Sequence, residues 1–229
     1  MKRLLFLMFF VSIAQLFYGQ EKYTITGELP DHSLDNTYLR LSELTALSGE
    51  RERLRHAFSD SILVQDGKFF YEGILSRKPF LAWISSLKNR KILGFNLVVE
   101  AGNIHIRVDN WANGAVVSGT PINEDYNTYM VGWKKGWDGR LYFFEKYAPY
   151  PDVIRLELSY NIKGKKASKR PHFSEYMQVV DKMPEPDRSI LLGWRDYTIQ
   201  RDEYDEKTQP ILDSIRSNAP RFIEIVPEK

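Results

Sequence analysis

The chain holds four histidines, His32, His56, His105 and His172, and no two of them stand at metal-ligand spacing. It has no cysteine, which removes thiolate nucleophiles, redox dithiols, disulfides and cysteine zinc sites together. No Gly-x-Ser-x-Gly elbow and no phosphate-cradling glycine loop occurs. Asp202, Glu203, Asp205 and Glu206 crowd one helical stretch. Paired acids hydrolyse glycosidic bonds only when they oppose each other across a cleft with their pKa values pushed apart. Four acids on one stretch of helix instead describe a solvated surface. The residues therefore assign no catalytic group, no metal and no cofactor.

Aromatic side chains make the stronger signal, with nine in the 25 residues from Tyr126 to Tyr150. Tyr126, Met130, Trp133 and Trp137 recur at helical spacing, which predicts one helix face packed on a core. Tyr142, Phe144, Tyr147 and Tyr150 do not all fit such a stripe. These four are the candidate surface for a ligand or partner.

The elements that must position these residues change character along the chain. Residues 1–20 open with Met1, Lys2 and Arg3, and continue as a short apolar run, the pattern of a secretory signal peptide. Without a cysteine, lipidation at its cleavage point is excluded, and no membrane span is expected after cleavage. Removing Lys2 and Arg3 from the 32 basic residues leaves 30, matching the 30 acidic ones. A neutral mature chain has no field to draw nucleic acid.

Residues 21–119 alternate apolar and polar side chains in short runs, which predicts an antiparallel β-sandwich of about eight strands. Asp66-Gly67 is a two-residue hairpin signal, because both central positions of that turn need positive φ. A second hairpin is expected at Ala101-Gly102, and AVVS (115–118) supplies a last strand. In its strand His105 alternates with Ile104 and Ile106, so it belongs on the polar face.

Residues 120–229 form a helical C-terminal segment in this reading. Thr120-Pro121 marks a helix start, and Glu124-Asp125 supplies negative charge to its first turn. Residues 164–170 form a basic exposed loop. Pro186-Asp187 opens the longest helix, with a break or kink expected at Pro210. Residues 131–170 carry ten basic and four acidic side chains, and residues 171–229 carry eight and twelve, so the two segments are suited to pair.

YTITGELP (23–30), DSILVQDGKFFYEG (60–73), VVEAGNIHI (98–106) and SGTPINEDYN (118–127) resemble, in order and spacing, the family called domain of unknown function 4369. The resemblance covers about residues 23–127 and implies an exported protein, in the periplasm or cell envelope of a Gram-negative bacterium. Its members often precede a thioredoxin-like domain with a Cys-x-x-Cys motif, which this chain lacks. The resemblance implies a fold and a compartment, and transfers no catalytic residue. The expected function is non-enzymatic: binding a small ligand or an envelope protein. The alternatives are a docking subunit of an envelope thiol–disulfide system and, less well supported, a glycan hydrolase.

Overall fold

The computed structural model describes residues 21–44, 58–86, 94–111, 114–135 and 138–218. The N-terminal apolar run, His56, Trp137 and the Trp133 side chain lie outside the described residues. Eight strands form: β1 Glu21–Glu28, β2 Tyr38–Glu43, β3 Ser59–Gln65, β4 Lys68–Leu75, β5 Phe80–Ser86, β6 Phe95–Val99, β7 Gly102–Asn110 and β8 Gly114–Ser118. They join in one sheet ordered β6-β5-β2-β3-β4-β1-β7-β8. All neighbours are antiparallel except β1 and β7, which run parallel.

The expected antiparallel sandwich is thus corrected to one mixed sheet curled nearly into a barrel, since inward side chains of all eight strands share a single core. Alternation marks a strand in either architecture but does not choose its neighbour. The hairpin expected at Ala101-Gly102 is corrected for the same reason. There β6 pairs with β5, while β7 pairs with β1 and β8. The Asp66-Gly67 turn forms as expected, with φ of 51° and 66° at its two residues. Inside the sheet Gly27 is opposite Phe69, whose ring fills the space a side chain at 27 would need.

Among the described residues five α-helices follow: α1 Pro121–Lys135, α2 Asp138–Tyr147, α3 Pro151–Lys163, α4 Phe173–Asp181 and α5 Asp187–Asn218. A 3-10 turn, Ala167–Lys169, separates α3 from α4. Leu81 and Val98 point outward from β5 and β6 into a second core with Tyr126, Phe143, Phe144, Ile154, Leu158 and Val179. The helices therefore cover one wall of the sheet. The expected break at Pro210 is corrected: α5 runs through it. Pro210 is exposed, so the carbonyl its ring leaves unpaired is free to bond water.

The two free edges of the sheet, β6 and β8, are each satisfied by a side chain of α1. Asn123, fully buried, accepts from the Val98 amide at 2.8 Å and donates to the Val98 carbonyl at 2.7 Å. One turn later, Asn127 accepts from the Val117 amide at 3.5 Å and donates to the Val117 carbonyl. Each amide side chain takes the place of a peptide unit in a missing strand. Glu100, just after β6, accepts the Ile122 and Asn123 amides at 2.8 and 3.1 Å and so caps α1. Burial pushes its carboxyl above the ordinary carboxylate range, against hydrogen bonds from Thr120 and these amides. Glu124 contributes as expected, accepting the Gly119 amide at 3.0 Å.

The basic loop is not simply exposed. Asp202 on α5 accepts from the amides of Lys166 and Ser168 and from the Ser168 hydroxyl, at 3.2, 3.1 and 2.7 Å. Ala167 is consequently buried. Asp202 thus departs from the solvated group its sequence neighbours suggest, while Glu203 and Glu206 are exposed. The expected pairing of the two charged segments is met by the buried Arg155–Asp187 pair at 3.0 Å and the Lys169–Glu206 pair at 3.1 Å.

Candidate functional site

Among the described residues, no element covers the wall opposite the helices, and strand register decides what it presents. Tyr38 on β2 is level with Leu63 on β3, and Leu63 is one step beyond the Val64–Phe69 pair, beside Phe70 on β4. Phe70 faces Thr26 on β1, Thr26 faces His105 on β7, and His105 faces Ser118 on β8. One row of outward side chains therefore runs across six strands, apolar at one end and polar at the other. Phe70 is 60% exposed, and Leu63, Tyr38 and Val116 are also exposed large hydrophobics. A groove of about 700 Å³ follows this row, lined by Leu63, Phe70, Thr26, His105, Ser118 and Val116, with Lys68, Glu28 and Arg107 along its side.

The groove has little net field. Lys68 pairs with Glu28 at 3.8 Å, and Arg107 with Asp109 at 3.0 Å. At the polar end the Thr26 hydroxyl is 2.7 Å from His105 Nδ1. That contact resembles a hydroxyl–base pair, but His105 stands exposed on an open sheet. Acyl transfer needs the base oriented by a third group and donors set for an oxyanion in a water-excluded site. The arrangement suits surface recognition better. His105 is on the polar face, as its alternation requires.

The four aromatics singled out from sequence separate. Phe144 and Tyr147 are core residues, 0% and 6% exposed, which corrects their assignment to a surface. Phe144 faces the Tyr129 and Tyr176 rings at 5.4 and 6.0 Å, and Tyr147 donates to Asp125 at 2.6 Å. Tyr142 remains at the surface and Tyr150 is partly buried. An irregular aromatic run conceals this division because α2 and α3 turn different faces to one core. Leu63, Phe70 and Val116 were missed because a lone outward apolar residue in a strand carries no signal until its neighbours across the sheet are known.

Two other polar groupings have structural roles. His32, Asp35 and Asp66 bring one ligand atom each to within 4.8 Å of one another, among the described residues. Asp35 already accepts the Gly67 amide at 2.8 Å and contacts His32 Nδ1 at 2.8 Å, so it ties the β1–β2 loop to the hairpin tip. The Gly67 amide, and secondarily His32, hold its carboxyl below the ordinary range. Between α1 and α3, Glu157 accepts from the Tyr126 and Tyr129 hydroxyls at 3.3 and 3.4 Å. Burial raises its carboxyl above the ordinary range, against those two bonds.

Residues 23–126 match the model of a family described as a domain of unknown function, DUF4369. The match spans β1 to β8 and ends in α1, just after Asn123. Comparison with curated proteins returns no match. Among the described residues, no helix is long and apolar enough to cross a membrane.

Proposed function

We propose that this chain, whose residues 23–126 form a DUF4369 domain, is an exported, non-enzymatic binding protein that holds a protein partner on the bare wall of its sheet. The observation that carries the reading is the cross-strand row of outward side chains from Tyr38 through Leu63, Phe70 and His105 to Ser118, over six strands. An open face cannot enclose a small molecule as a pocket does, so the row suits a macromolecular surface. The partner meets Leu63, Phe70 and Val116 with apolar side chains and His105 with a hydrogen-bonding group. Paired charges along the groove favour neither polyanions nor nucleic acid.

Site-specific photo-crosslinking in the envelope fraction tests the proposal. A crosslinker at position 63 or 70 should trap one discrete protein, lost when Phe70→Asp is added in the position-63 variant, while the same group at Tyr160 on α3 traps none. Equal trapping from both sites, or none from the groove, overturns it.

A further inference from the structure

From Tyr197 onward, α5 carries an apolar stripe that nothing among the described residues covers. Tyr197, Tyr204, Ile211 and Ile215 are each at least 60% exposed, and Leu212 beside them is 45% exposed. The helix turns about 100° per residue, so the stripe is roughly a third of a turn from the buried side formed by Leu191, Thr198 and Asp202. Residues 211–217 are exposed on every side, beyond the last ion pair to the body, Lys169–Glu206. Two bare turns bearing three aliphatic side chains gain little helical stability without a partner.

We infer that this stripe joins two copies of the chain, as an antiparallel pair of α5 helices. The spacing of Tyr204, Thr208, Ile211 and Ile215 is four, three and four residues, the seam of a two-helix coil. That spacing is the same in both directions. A two-fold axis between residues 209 and 210 sets Tyr204 beside Ile215 of the second copy and Thr208 beside Ile211. The patch therefore complements itself, as a two-fold interface requires. The free tip of each helix, residues 215–218, lies along residues 201–204 of the other, where the stripe continues over the body.

Charge selects the same orientation. Asp205 and Arg216 flank the seam on one side, and neither has an ion-pair partner among the described residues. In the antiparallel register they approach across the interface, twice by symmetry. A parallel pair would stack the acids at 203–206 on their own copies. Within this register Tyr204, Thr208, Ile211, Leu212 and Ile215 offer on the order of 500 Å² per copy, or about 1,000 Å² in all, the lower bound for a specific interface.

Analytical ultracentrifugation of the purified protein over a dilution series tests the inference. The protein should sediment as a reversible dimer. Ile211→Glu should weaken dimerisation by more than about tenfold while leaving the melting temperature unchanged at dilutions where both proteins are monomers, since Ile211 is exposed in the single chain. Leu63→Asp, in the sheet groove, should leave the dimer unchanged. Asp205→Arg and Arg216→Asp should each weaken it, and the double exchange should restore it. A monomer throughout the series, a dimer that survives Ile211→Glu, or a double exchange no better than the singles overturns the proposal.

Discussion

Replacing Asn123 by alanine removes the one side chain that completes the β6 edge. The Val98 amide and carbonyl are buried and bond only to that amide side chain on their free side. Each orphaned group costs about 1–3 kcal/mol. The bonds of Asn123 to Thr120 at 2.8 Å and Glu100 at 3.4 Å disappear as well. A loss of about 3–5 kcal/mol follows, a large part of the ~5–15 kcal/mol that holds a typical domain together. Urea denaturation followed by tryptophan fluorescence measures the total, and hydrogen exchange at the Val98 amide measures the local effect. Asn127→Ala is the internal comparison. Its amide bond to Val117 is longer, at 3.5 Å, and only part-buried, so about 1 kcal/mol is expected. A loss under about 1 kcal/mol for Asn123→Ala, with Val98 still protected, would refute the view that α1 closes the sheet.

Three further outcomes are expected. Gly67→Val should lower the melting temperature and cost about 1–3 kcal/mol, because φ is 66° there and a β-branched residue resists it; an unchanged melting temperature contradicts the turn. Glu157→Gln should stabilise the protein at neutral pH and lose that advantage in acid, as read from melting curves between pH 4 and 8. The folded-state pKa of Glu157 is raised, so its ionisation opposes folding; the difference is full above that raised value and should fade as pH falls from it to the ordinary glutamate value of about 4.3. Asp202→Ala should free residues 164–170 and cost about 2–3 kcal/mol, with faster proteolysis in that loop as the direct sign.

Strands, the first hairpin and the start of α1 were legible because each depends on neighbours in sequence. Tyr23, Ile25, Leu39 and Leu41 point inward as their alternation requires. What alternation could not show is that β7 would join β1 in parallel, since partner choice is settled by contacts some 80 residues apart. The row on the outer wall was hidden for the same reason: Leu63, Phe70 and His105 line up only after four strands, β3, β4, β1 and β7, have found their places. Asp202 was misjudged by its company. Three neighbouring acids suggested solvent, whereas its own position on the wheel points at the amides of Lys166 and Ser168.

The parallel partnership of β1 also governs when this domain can fold. The strand is interior to the sheet, flanked by β4 and β7, so its antiparallel ladder is complete once residue 75 is present but its parallel ladder waits for residue 107. Pairings this distant form slowly, because the loop between them must close before any contact rewards it. A chain emerging from the ribosome from its N-terminus thus carries one side of this interior strand unpaired until residues 102–107 are made. Such wiring delays closure of the sheet during elongation, and a chain that folds late stays threadable. Trimming the N-terminus into β1 would split the sheet, leaving two fragments with new raw edges on β4 and β7 instead of a shorter barrel.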